Sequence, residues 1–388
     1  MKLAERMGRL GTETAFEVLA RARALEAKGK TVIHLEIGEP DFDTPAHVVE
    51  AGTTALRSGY THYSPSPGIG ELRESIARFA GKKRGLTFSP EQVVVTPGGK
   101  PIMFFVILAL AQEGDEVIYP NPGFPIYESM ISFVGATPVP IPLREENAFR
   151  LDVDELARKI TPRTRLLIIN SPQNPTGSVL ERSDIAGIAE LAVRHDLVVL
   201  SDEIYSEILY EGEHVSIAQF PGMAERTIIL DGFSKTYAMT GWRLGYGIMP
   251  LDLAPHITRL VTNSVSCTAT FVQRAGIAAL EGPMDDVRSM VEEFRRRRQV
   301  IVDGLNAIPR LRCAMPAGAF YAFPYVGGVG MDCRAFADYL LNDAGVATLA
   351  GTSFGAFGEG YLRLSYANSV ANLQAALDRI EHAVQKLR

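Results

Sequence analysis

The chain has 388 residues, 46% of them hydrophobic and 22% charged, and a formal net charge of −6. That length supports two or three domain-sized units around a large core. The mild acidity argues against a surface that tracks a phosphate backbone, so no nucleic-acid partner is expected.

Met1-Lys2-Leu3-Ala4-Glu5-Arg6 has no apolar signal core behind it, and the longest apolar run, Pro101 to Ala111, is too short to span a bilayer. Cys267, Cys313 and Cys333 lack metal-ligand spacing and cannot all pair with one another, which suits a reducing compartment. The expectation is a soluble cytoplasmic protein with no metal site and no membrane partner. Helical spacing predicts a first helix over 15–28, stopped by Gly29. A short strand at 32–37, a turn-rich stretch from Gly38 to Pro45 and an amphipathic helix at 71–80 follow. From about residue 91, β-type runs (92–96, 116–119, 137–141, 166–170, 198–201, 227–231, 243–248) alternate with helical stretches (102–111, 124–133, 153–160, 182–194). Such alternation predicts an α/β fold with a mostly parallel central sheet sandwiched by helices. Several runs are almost entirely apolar, as strands buried on both faces are. A long helix over 283–307 carries Arg295 to Arg298, which reads as a solvated basic face. A glycine-containing apolar patch (318–323), a helix at 333–343, a strand at 361–365 and a last helix at 370–387 complete the chain. Residues 46–285 are expected to form the large domain. Residues 1–45 and 286–388, from the two chain ends, form a smaller α+β domain.

In such sheets ligands sit outside the carboxyl ends of the strands, and the reactive residue types fall there. Lys235 follows the strand at 227–231 amid small and hydroxyl residues. A lysine so placed loses charge by desolvation and can act as an amine nucleophile, although a loop lysine by itself usually reads as a surface charge. Ser234 beside it and Arg243 eight residues on could both grip a phosphate. The stretch SKTYAMTGWRLGY resembles the cofactor-lysine motif of class I aminotransferases, the fold-type I pyridoxal-phosphate family. The resemblance extends from about residue 15 to the end of the chain and is closest to the aspartate/alanine aminotransferase-like subgroup.

The resemblance implies pyridoxal 5'-phosphate as cofactor, bound to Lys235 as an aldimine, with Lys235 later shuttling the substrate proton. SDEIY, directly after an apolar strand, matches the motif in which Asp202 pairs with the pyridine nitrogen and Tyr205 donates to the ring phenolate oxygen. Taken alone, Asp202 reads as a helix cap, and Glu203 is expected to serve only locally. In NSPQNPTG, which otherwise reads as a turn-rich loop with candidate cis-proline bonds, Asn174 takes the ring oxygen and orients the substrate carboxylate. Gly98, Gly99 and Lys100 form a turn whose amides suit a phosphate at a helix N-terminus. Phe124 falls where the family stacks an aromatic ring on the pyridine. Gly38 in the GEPDF loop lies near the substrate α-carboxylate, and Arg363 in YLRLSYA clamps it; otherwise Arg363 is a strand charge. Tyr63 in YTHYSPSPG matches a tyrosine that crosses to the partner's phosphate, which implies a homodimer with a shared site.

The expected reaction is ping-pong transfer of an amino group between an L-amino acid and a 2-oxo acid, with glutarate-type 2-oxo acid (2-oxoglutarate/glutamate) as one couple. Aspartate or a broad range of amino acids is the other. Lys100 aligns with a lysine that reads a distal carboxylate in some aspartate aminotransferases of the subgroup; it also reads as a solvated phosphate-loop residue. The segment Thr14 to Val18 lacks the Ser/Thr pair of those enzymes and looks more like broad-range or alanine-type members. Phe16, Tyr127 and Phe320 are candidates for an apolar side-chain pocket. The same scaffold also hosts C–S β-lyases, and a non-catalytic regulator that senses the cofactor is the reading from another class. Such regulators add a DNA-binding module ahead of the first helix, for which the residues before Ala15 leave no room.

Overall fold

The computed structural model describes residues 1–387. After β1 (Ile33–His34), seven strands form one sheet: β2 (Val93–Thr96), β3 (Glu116–Asn121), β4 (Thr137–Pro142), β5 (Thr164–Asn170), β6 (Val198–Asp202), β7 (Thr227–Gly232) and β8 (Gly245–Ile248). Their spatial order is β2-β8-β7-β6-β5-β3-β4. All neighbours run parallel except β8, which is antiparallel to both β2 and β7. Side chains alternate between faces with period two. Leu166, Ile168, Ile228 and Leu230 join a core beneath the helix Lys100–Leu110, whereas Leu167, Ile169 and Ile229 join cores on the opposite face. Both faces are therefore covered, which explains the continuous apolar runs.

The remaining strands are short. β10 (Val346–Ala347) pairs in parallel with β1, while β9 (Tyr321–Ala322), β11 (Leu349–Ala350) and β12 (Leu362–Ser365) form an antiparallel sheet in the order β11-β12-β9. Leu35, Phe294, Phe320, Tyr366 and Leu373 share one apolar core here, joined by Tyr205 and Ile208 from the end of β6. That shared core ties the carboxyl end of the large sheet to segments from both chain ends.

Most predicted elements form within a few residues of their expected bounds, with three differences. Helices Ala46–Arg57, Ala254–Ser264 and Thr270–Glu281 were not expected. The first contains Gly52, Thr53 and Thr54, poor helix formers, and packing selects it: a Cβ at Gly52 would lie 2.7 Å from the Trp242 ring. The strand expected over 32–37 contracts to two residues. Third, the basic run is not a uniformly solvated face. Arg297 and Arg298 are buried; Arg297 donates to Asp41 at 2.6 Å and stacks on Phe42, and Arg298 stacks on Tyr210. Phe294, Ile301 and Val302 lie at helical spacing from them, so this face turns toward the core and the long stems pack as apolar surface. Among the described residues, no helix is long and apolar enough to cross a membrane.

Candidate active site

The parallel register aligns the strand ends that carry the chemistry. Asn170 stands opposite Asp202, and Asp202 opposite Leu230, so the loops after β5, β6 and β7 open on one side. A cavity of about 530 Å³ lies there. It gathers Gly38, Gly99, Lys100, Phe124, Asn174, Asp202, Tyr205, Ser234, Lys235, Arg243 and Arg363 from seven separate stretches of chain.

Lys235 reaches the cavity floor, where its Nζ donates to the Gly38 carbonyl at 2.6 Å. Burial pushes its amine down to about 8, opposed by the Glu39 carboxylate and assisted by Arg363, Lys100 and Arg243. Lowering the amine from its ordinary 10.5 enlarges the neutral fraction that an amine nucleophile needs. Asp202 is the last residue of β6 and is buried. Burial pushes its carboxyl up to about 6, against the hydrogen bonds that favour the anion. These come from Tyr127 Oη at 2.6 Å and the Ile204 amide at 3.3 Å. Among the described residues no cation pairs with it, so Asp202 is a buried carboxylate suited to a cationic guest.

Arg363 on β12 is buried between the rings of Tyr321, 4.6 Å from its guanidinium carbon, and Phe354, at 4.9 Å. Its Nη1 donates to Asn174 Oδ1 at 3.2 Å and its Nη2 to the Glu36 carbonyl, while Nε has no partner among the described residues. Burial lowers its pKa. A desolvated guanidinium with an unused donor is ready for a planar carboxylate. Asn174 is held in turn by its own amide, which donates to Asn170 Oδ1 at 2.9 Å. Both Ser171–Pro172 and Asn174–Pro175 are cis. Tyr205 Oη lies 2.7 Å from Tyr321 Oη, and burial raises the Tyr205 pKa well above its ordinary value, keeping it a donor.

Groups suited to an anion line the same cavity. Gly99 precedes the helix Lys100–Leu110, and Gly98 adopts φ +86°. A Cβ on Gly98 would lie 2.3 Å from Arg243 Nη2, so this glycine lets the guanidinium approach the turn. Arg243 itself sits at φ +56°, with Nη1 bound to the Thr240 carbonyl at 2.8 Å. Ser234 borders the same cavity.

The cavity does not take in every residue that the sequence singles out. Gly98 stands behind the cavity and shapes it through Arg243. Tyr63 is 89% exposed and outside its own chain's cavity. Of the three candidates for the side-chain pocket, only Phe16 lines it. Tyr127 is wholly buried and spends its hydroxyl on Asp202; Phe320 is wholly buried in the core of the short-strand region, behind Lys235. Glu203 is not a local residue: its carboxylate accepts from Arg84 Nη2 at 2.6 Å, His214 Nε2 at 2.8 Å and Ser216 Oγ at 2.6 Å. Burial alone would raise its pKa, but Arg84 and His214 hold it well below the carboxylate range. Sequence reading missed Glu13, whose carboxylate reaches the cavity and pairs with Lys100. It carried no motif and no periodic signal.

A desolvated amine, an unpaired buried carboxylate, tyrosine and asparagine donors and an anion corner share one cavity. This combination suits an enzyme that holds a phosphorylated heteroaromatic aldehyde. The model of the aminotransferase class I and II family matches residues 30–380. An aromatic-amino-acid aminotransferase of Thermococcus litoralis is 40% identical over 100% of this chain and 99% of its own. An aspartate aminotransferase of Pyrococcus abyssi is 43% identical over 92% of each chain. The structure of the Thermus thermophilus aspartate aminotransferase with maleate superimposes with a TM-score of 0.94 at 38% identity, covering 99% of this chain and 100% of that one. The chain belongs to the class I and II aminotransferases. It has their fold-type I architecture and is a pyridoxal-phosphate-dependent transaminase. These relatives are all aminotransferases, which does not favour the β-lyase alternative.

Proposed function

We propose that the enzyme transfers the amino group of an L-amino acid to a 2-oxo acid in two half-reactions, with glutamate/2-oxoglutarate as one couple. The observation that carries this reading is that the Lys235 amine and the Arg363 guanidinium face one cavity. Ser234, Arg243 and the backbone at Gly99-Lys100 would hold the cofactor's phosphate, with Gly98 behind them making room for Arg243, and Asp202 would hold its ring nitrogen. Tyr205 and Asn174 would hold its ring oxygen, Phe124 its ring face and Lys235 its aldehyde carbon. The unpaired buried carboxylate of Asp202 and the glycine-lined anion corner support that fit. When bound, the cofactor supplies an electron sink for the bond broken at the substrate Cα.

The chain's own residues do the rest. Arg363 binds the α-carboxylate through its unused Nε and a displaced terminal nitrogen, with Asn174 and the Gly38 backbone fixing its orientation. Lys235 Nζ, released from the Gly38 carbonyl, takes the proton from the substrate Cα, a task suited to an amine titrating near 8. Asp202 stays ionised opposite a cation. The first product leaves as a 2-oxo acid before the second substrate enters, so one pocket serves both. We further propose a symmetric homodimer in which Tyr63 reaches the partner's phosphate corner; its exposure outside its own cavity supports that role.

The test is a half-reaction screen. Holoenzyme is mixed with single amino acids, and conversion to the corresponding 2-oxo acid is followed with the change in visible absorbance. Wild-type protein should show a pH-dependent visible band that Lys235→Ala lacks, and at least one amino acid should be converted. A colourless protein indifferent to added pyridoxal phosphate refutes the reading, as does release of ammonia from cystathionine faster than any transamination.

A further inference from the structure

Two-stage amino transfer makes one pocket accept unlike side chains in turn. 2-Oxoglutarate brings a distal carboxylate, while an apolar amino acid brings none. The apolar part of the cavity lining is Phe16, Ile37, Met103 and Phe124, and Lys100 lies beside two of these rings. Lys100 Nζ lies 5.5 Å from the Phe124 ring centroid and 5.9 Å from that of Phe16. Left unpaired, that ammonium would face an apolar substrate without compensation, which is unfavourable.

Glu13 resolves the conflict. It occupies the N-cap position of the helix Thr14–Glu26, yet its side chain makes no capping hydrogen bond. Its carboxylate points into the cavity and pairs with Lys100 Nζ, and it is the less exposed partner, at 18% against 47%. The pair is neutral, bordered by aromatic rings, and open enough on the lysine side for exchange. We infer that Glu13 is the specificity-determining residue of the pocket, a built-in carboxylate that stands in for the distal carboxylate of a dicarboxylic substrate. With an apolar side chain bound, Glu13 neutralises Lys100. With 2-oxoglutarate or glutamate bound, the substrate carboxylate displaces Glu13 and takes Lys100. In both cases Lys100 keeps one carboxylate partner, and the displaced Glu13 side chain turns from the cavity into solvent when the substrate supplies its own.

This inference rests on the transaminase reading, and its test does not require turnover. Holoenzyme is titrated by calorimetry with glutarate and with 3-phenylpropionate, which share a carboxylate for Arg363 and differ at the far end. Glu13→Gln removes the competing charge and leaves Lys100 unpaired. Glutarate should bind more tightly relative to 3-phenylpropionate, the ratio of the two dissociation constants moving by roughly three- to fivefold, the upper part of the range of an exposed ion pair. In a Lys100→Met background the same Glu13→Gln change should leave the ratio within twofold of its Lys100→Met value. A ratio that moves less than threefold in the first comparison, or moves equally in the second, overturns the assignment. If the ratio stays fixed while amino acids are still converted, only the role of Glu13 falls. If no amino acid is converted, the transaminase reading falls, whatever the ratio does.

Discussion

The hydrogen bond from Tyr127 to Asp202 offers a quantitative check on the electrostatics beneath the cofactor site. Tyr127→Phe removes one hydroxyl from a wholly buried ring and keeps the edge contact with Phe124, 5.8 Å between centroids. The lost bond spans 2.6 Å. A hydrogen bond to a charged group contributes about 1.5–3 kcal/mol, one to a neutral group about 0.5–1.5 kcal/mol. Asp202 titrates near 6 in the folded chain against an ordinary 3.8. The folded state therefore binds the Asp202 proton more readily, and this group's contribution to stability is full below about 4 and declines as pH rises through 6. At pH 8 Tyr127 supports an anion; at pH 5 it faces a largely neutral carboxyl. Urea unfolding of the cofactor-free protein, at one protein concentration, should show Tyr127→Phe losing about 1.5–3 kcal/mol at pH 8 and about 0.5–1.5 kcal/mol at pH 5. The variant's Asp202 should titrate higher still, by about one unit for each ~1.4 kcal/mol lost from the anion. Equal losses at the two pH values would refute the reasoning, because the bond would then not discriminate between the two states of Asp202.

Arg84, 2% exposed, compensates both Glu203 and Asp231 behind the site, at 2.6 and 3.3 Å. Arg84→Met should cost about 3–5 kcal/mol in the same unfolding assay, since it strands buried carboxylates; a loss under about 1 kcal/mol would show them compensated elsewhere. Sedimentation of the holoenzyme should give the mass of two chains. Tyr63→Phe should then weaken cofactor affinity by roughly tenfold or more, as loss of a charge-assisted hydrogen bond does. A monomer with full affinity would contradict the shared site.

Arg295 to Arg298 illustrates what was legible and overlooked. Read as a charge run it suggested solvent; read against Phe294 and Ile301 at helical spacing, two of its four members face the core. The helix Ala46–Arg57 also places Val48, Gly52 and Ala55 on one buried face at helical spacing, but the poor helix formers Gly52, Thr53 and Thr54 obscure that pattern, and packing of Gly52 on the Trp242 ring selects it. Glu203 offered nothing locally, since its partner Arg84 is 119 residues away.

By itself the sequence determined the strand and helix alternation and the positions of Asn174, Asp202 and Lys235 after apolar runs. It did so because burial on both faces imposes a local pattern and turns demand particular residues. In a parallel sheet, strand ends fall together, so those residues converge without further information. Only the tertiary structure decided that Tyr127 supports Asp202, that Arg84 balances Glu203, and that Glu13 reaches Lys100 across 87 residues. These are pairings between single side chains on different elements. No periodicity records them, and they form only once packing has brought the elements together.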